Sequence, residues 1–87
     1  MYTVDYDSKA LKQLKKMDKF QAKIIIEWIE ENLVDCTDPR KHGKPLTANL
    51  NEFWRYRVGN YRVVAQIIDN EVIINIIKIG HRKDIYK

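Results

Sequence analysis

Eighty-seven residues, 45% of them apolar, suffice for one domain, residues 1–87, around a single modest core. Sixteen Lys and Arg against twelve Asp and Glu leave +4, a mild basic excess whose meaning depends on where the charges lie. The lone Cys36 excludes an intramolecular disulfide and a Cys-pair metal site, and no apolar run approaches the roughly 18 residues of a membrane span.

The first thirty residues lack a charged-then-apolar signal layout, and the expectation is a cytoplasmic protein without a membrane partner. Along the chain, Tyr2 to Tyr6 alternates in character and predicts a short strand. Ser8 reads as the N-cap of a helix running to about Met17, with Leu11 and Leu14 facing inward. After a break at Met17-Asp18, a longer helix is expected from about Lys19 to Leu33. Its apolar stripe is Ala22, Ile25, Ile26, Ile29 and Leu33. Residues Val34 to Asn51 hold Pro39, Gly43 and Pro45 and predict a loop. Three strands follow, Phe53–Val58, Tyr61–Ile68 and Val72–Ile79. Gly59-Asn60 predicts a type II′ hairpin, and Asp69-Asn70 a second two-residue turn. The order β-α-α-β-β-β predicts an α+β fold, with the two helices packed on one face of a small, mainly antiparallel sheet.

The first hairpin sets a register. Pairing Val58 with Tyr61 puts Arg57 opposite Arg62, Arg55 opposite Val64 and Trp54 opposite Ala65. Trp54, Tyr56, Val58, Tyr61, Val63, Ala65 and Ile67 then share an apolar face for the helices to cover. Phe53, Arg55, Arg57, Arg62, Val64 and Gln66 share the other. Two arginines directly across from each other break a local rule, because like charges in a cross-strand pair repel. Such a breach points to function, and a guanidinium fork suits phosphate oxygens. With a two-residue turn at Asp69-Asn70, Ile77 falls opposite Arg62, and Ile73, Asn75, Ile77 and Ile79 join the arginine face. Strand parity then aims His81 to that side.

A phosphodiester on Arg55, Arg57 and Arg62, with His81, Arg82 and Tyr86 along its edge, would have the groups needed for RNA cleavage by 2′-OH attack. Histidine titrates near neutral pH, and cations lower a tyrosine. Arginines stabilise charge growing on the phosphoryl oxygens. No Asp/Glu cluster accompanies them, so neither a metal nor another cofactor is expected. The candidates for general base are His81, Tyr86, Glu52 and Asp84. Lys9, Lys12, Lys16, Lys19 and Lys23 follow a 3, 4, 3, 4 spacing, a basic stripe suited to a nucleic-acid backbone if the helices are nearly continuous. Lys44 is within reach of a phosphate from the loop, whereas His42 reads as solvated.

The element order, "GKPLTANLNEFWRYRVGNYRVVAQI" and the closing "IGHRKDIY" resemble the RelE/ParE superfamily of bacterial and archaeal toxins over essentially the whole chain. "RYRVGNYRV" and "GHRKDIY" are closer to the RelE branch. The resemblance implies a type II toxin–antitoxin toxin that enters the ribosomal A site and cuts mRNA, leaving a 2′,3′-cyclic phosphate. It carries the cationic and C-terminal roles onto Arg55, Arg62, Arg82 and Tyr86, with His81 standing where some relatives use a histidine. Phe53 departs from the family's pattern, in which a lysine stands at that position. The implied partners are the ribosome, mRNA and an antitoxin with an acidic, helical or partly disordered segment, operator DNA being contacted through the antitoxin. The alternatives are a ParE-like inhibitor of DNA gyrase, without nuclease activity, and an inactive homologue that only binds its antitoxin.

Overall fold

The computed structural model describes residues 1–46 and 52–81. Its elements are β1 (Thr3–Tyr6), α1 (Ser8–Lys16), α2 (Lys19–Asn32), β2 (Lys44–Pro45), β3 (Phe53–Val58), β4 (Tyr61–Ile68), a 3-10 turn (Asp69–Glu71) and β5 (Ile73–His81). The five strands form one sheet in the order β1-β5-β4-β3-β2. Among the described residues only β1 pairs parallel, with β5; the other pairings are antiparallel. The fold is α+β as expected, and among the described residues no helix is long and apolar enough to cross a membrane.

The helices begin and end where local chemistry dictates. Asp7, not Ser8, is the N-cap of α1, and its side chain makes no capping bond. Asp18 caps α2 with a carboxylate that accepts from the Gln21 N–H at 3.1 Å. Met17, in extended backbone, breaks the two helices apart. Ala10 and Leu14 bury the inner side of α1, and Ile25, Ile29 and Leu33 that of α2 and its end. Leu11, expected inside, is 44% exposed, because the four-residue step from Ala10 to Leu14 defines the buried face. Gln13 ties α1 to the sheet, its Oε1 accepting the Ile79 N–H at 2.7 Å.

The β3–β4 register is the expected one at every pair, from Val58↔Tyr61 to Phe53↔Gln66. Gly59 has φ 60° and Asn60 is not left-handed, the pattern of a type II′ turn. Trp54, Tyr56, Val58, Val63, Ala65 and Ile67 are buried against the helices.

The β4–β5 register differs from expectation. Residues 69–72, rather than two residues, make the connection. A β-bulge then separates Val64↔Lys78 from Ala65↔Ile76, so Arg62 faces Gly80 and not Ile77. Crossing the bulge reverses the parity of the strand. Ile74 and Ile76 before it and Ile79 after it are therefore all buried. Ile73 and Asn75 lie on the arginine face as expected, paired with Ile68 and Gln66, but Ile79 does not.

Val72 closes this connection at φ 58°, a left-handed conformation that strains a β-branched residue. It is exposed enough to be exchanged without disturbing the core. Val72→Gly is expected to raise stability by about 1 kcal/mol, read as a higher urea midpoint at unchanged slope.

Candidate functional site

The arginines gather where three strands meet. Pairing in β3–β4 sets Arg57 opposite Arg62, and pairing in β2–β3 sets Lys44 opposite Arg55. Lys44, Arg55, Arg57 and Arg62, with Gly43 and Tyr56, line a cavity of about 240 Å³. The face carrying the four cations is the one the helices leave uncovered. Arg62 is only 7% exposed, the single buried charged residue among the described residues. Its cross-strand neighbour on β5 is Gly80, so no side chain projects there to crowd the guanidinium.

Two core aromatics hold the loop that delivers Lys44. The Tyr56 hydroxyl donates to the Pro39 carbonyl at 2.7 Å, and the Trp54 Nε1 donates to the His42 carbonyl at 2.6 Å. Burial raises the Tyr56 phenol far above its ordinary value, so this hydroxyl stays protonated and structural. His42 is not solvated as expected. It is half-buried, with its ring edge-on to Trp28 at 5.8 Å. Trp28 also packs on Tyr56 at 5.6 Å. Gly43 has φ 74°, and a Cβ there would collide with the Arg55 carbonyl oxygen. The strand pair can close only around a glycine.

Arg40, overlooked in the sequence, fastens the same loop from outside. Its guanidinium makes a forked pair with Asp69 at 2.9 and 3.0 Å and lies 5.7 Å from the Trp54 ring. The Tyr2 hydroxyl donates to the same carboxylate at 2.7 Å. Arg40, then Tyr2, hold the Asp69 carboxyl below its ordinary value. The depressed value means that stability from this group is present above the unfolded pKa, near 4, and is lost as pH falls through the folded one. Asp69 is half exposed, so screening limits the contribution to about 1 kcal/mol or less. Asp69→Asn is expected to lower stability at pH 7, and its deficit is expected to shrink in urea titrations below about pH 4. A deficit constant with pH would remove the ion pair from the account.

The other site expectations divide. Gly80 and His81 do reach the end of the sheet where Arg62 begins its strand. His81, however, pairs with Tyr61, and the two rings meet edge-on at 5.5 Å. Tyr61 packs against the core, so the bulge has turned His81 away from the arginine face. Arg82 and Tyr86 lie outside the described residues, as does Asp84. Glu52 lies near Gln66, whose Nε2 donates to it at 3.4 Å, and does not line the cavity. Lys12, Lys16 and Lys19 are exposed on the helices, which cover the opposite face of the sheet, and the break at Met17 interrupts their stripe. They are not brought to the arginines. Gly43 and the Trp54 and Tyr56 anchors carried no local signal, since a loop glycine and two strand aromatics are ordinary features.

The chain matches the family described as the ParE toxin of type II toxin–antitoxin systems over residues 4–86. It is 30% identical to Toxin RelG of Mycobacterium tuberculosis, over 99% of this chain and 97% of that protein. It is 29% identical to the mRNA interferase toxin RelE of Escherichia coli, over 94% of this chain and 84% of that one. Among solved structures it is similar to a chain of the toxin–antitoxin complex RelBE2 from Mycobacterium tuberculosis. The TM-score is 0.80 at 28% identity, with 93% of this chain and 91% of that one covered.

Proposed function

Because the chain belongs to the RelE/ParE superfamily of type II toxin–antitoxin toxins, on its RelE-like branch, we propose that it is a ribosome-dependent mRNA endonuclease of the cytoplasm. The observation that carries this reading is the cavity lined by Lys44, Arg55, Arg57 and Arg62 on the open sheet face. Four cations there suit the growing charge of a phosphorane, which arginines meet with paired N–H donors. The RNA supplies its own nucleophile, the 2′-OH. Its oxygen attacks the adjacent phosphorus, the bond to the 5′-oxygen breaks, and a 2′,3′-cyclic phosphate remains. Stabilisation by guanidinium groups gives this route no need of a metal.

Proton transfer requires other groups. Arginine does not deprotonate at cellular pH, and the Tyr56 hydroxyl is committed to Pro39. Tyr86 is proposed as the group that exchanges protons and Arg82 as a further cation, both on the sequence pattern. His81, held against Tyr61, is not assigned to the cavity. The test is purified protein added to ribosomes programmed with a defined mRNA, with 3′ and 5′ ends mapped. A-site cleavage that leaves a 2′,3′-cyclic phosphate is expected; intact mRNA would overturn the reading.

The antitoxin partner follows the same logic. The toxin–antitoxin complex among the similar structures supports it, and α1 and α2 supply a groove of about 430 Å³ with the chemistry required. Leu14, Met17, Ala22 and Ile26 line it with Lys15, Lys19, Lys23 and Glu27, the last 4.0 Å from Lys23, and the net basic rim suits an amphipathic acidic segment. Operator DNA would then be contacted through the antitoxin.

The matching family description is that of ParE toxins, and this favours one second reading, inhibition of DNA gyrase. Stabilised gyrase–DNA cleavage complexes with purified gyrase, alongside uncut mRNA, would establish that reading instead.

A further inference from the structure

We propose that Phe53, Gln66 and Asn75, the row of the open sheet face next to the cationic cavity, form a nucleobase subsite. This rests on the reading of the cavity as an RNA phosphate site and adds what lies beside it. The register lays the open face out in rows. Lys44, Arg55, Val64 and Lys78 stand side by side across β2, β3, β4 and β5. Two residues further along β3 and β4, and three along β5 across the bulge, about 7 Å away, the row is Phe53, Gln66 and Asn75, with Asp5 on β1.

Within that one step the chemistry changes from cations to an aromatic ring and two carboxamides. Nothing in that row suits a phosphate. Its groups suit what a nucleotide carries beyond its phosphate. Unstacked RNA bases are held by stacking on aromatic rings and by hydrogen bonds to their edges. An Asn or Gln amide presents a donor and an acceptor side by side, the pattern that matches a base edge. Phe53, Gln66 and Asn75 are each half-buried, so they are neither committed to the core nor free in solvent. The Gln66 Nε2 donates to the exposed Glu52 carboxylate at 3.4 Å, a long contact that leaves the amide adaptable, and among the described residues no hydrogen bond engages the Asn75 amide. A backbone running along the strands with its phosphate at Arg55 and Arg62 would set its base on this row.

The experiment compares AMP, UMP and ribose 5-phosphate as probes of the full chain, followed by calorimetry and by the side-chain amide signals of Gln66 and Asn75. AMP is expected to bind about ten-fold more tightly than ribose 5-phosphate, with UMP between them. Only the nucleotides should shift the two amide signals. Phe53→Leu, which keeps an apolar side chain while removing the ring, is expected to bring AMP down to the level of ribose 5-phosphate. It should leave ribose 5-phosphate itself unchanged. Equal binding of AMP and ribose 5-phosphate would overturn the subsite while the phosphate cavity stands. Undiminished AMP preference in Phe53→Leu would also overturn it. Binding of none of the three would remove the cavity and the subsite together, whereas ribosomal cleavage tests the proposed activity by itself.

Discussion

Arg62→Ala is expected to lower single-turnover mRNA cleavage on programmed ribosomes by about 10²–10³-fold, the scale on which loss of one preorganised donor acts. Arg62 is the buried cation of the cavity, facing Gly80 on one side and Arg57 on the other. Water screens a charge in that position little, so its field on a bound phosphate is strong. Arg62→Lys keeps the charge but not the planar fork, and a smaller loss, about ten-fold, is expected. Stability should move differently from activity. The substitution by alanine relieves the Arg57–Arg62 repulsion, worth a few tenths of a kcal/mol up to about 1, which offsets part of the lost packing. Cleavage at the wild-type rate by a folded Arg62→Ala protein would show that the phosphate does not bind in this cavity.

The second large effect concerns a residue with no chemistry of its own. Gly43→Ala places a methyl group against the Arg55 carbonyl, with the Tyr56 ring 3.0 Å away, at a φ of 74°. The left-handed backbone alone costs an alanine about 1–2 kcal/mol. The collision costs more, because the obstacle is backbone and relief requires β2 to part from β3. Lys44, next in sequence, would lose its place opposite Arg55. We expect a loss of about 2–3 kcal/mol in urea unfolding together with at least ten-fold slower cleavage. Two controls separate the causes. Lys44→Ala should slow cleavage without the loss of stability. Gly59→Ala, where φ is 60° but no atom lies within 4 Å, should show only the backbone cost. If Gly43→Ala behaved like Gly59→Ala, the close approach would carry no weight.

The C-terminal strand shows where reading the chain alone goes astray. A one-residue error in register turns every later side chain to the other face. Two-residue logic at Asp69-Asn70 assigned Ile77 to Arg62 and His81 to the arginines. The connection has four residues and the strand a bulge, so Gly80 takes that place and His81 turns to Tyr61. Neither feature has a local signature. A strand written Ile-Ile-Asn-Ile-Ile-Lys-Ile contains more isoleucines than one face can hold, and it is packing that chooses among them. Burying Ile74, Ile76 and Ile79 together under the helices requires one extra residue between Ile76 and Lys78, and Ile77 is that residue.

What the amino-acid order settled unaided was whatever depends on near neighbours. A Gly-Asn turn between two alternating runs leaves one register, and that register alone opposes Arg57 to Arg62 and separates an apolar face from a basic one. Helical spacing likewise selected Ile25, Ile29 and Leu33 for the core. The tertiary structure decided the contacts between segments far apart in the chain. Pairing of Lys44 with Arg55, closure around Gly43, the Trp54 and Tyr56 bonds to the preceding loop and the Arg40–Asp69 pair all belong to this class. These contacts depend on which surfaces meet once the apolar faces are buried, and no spacing within a single segment encodes that meeting.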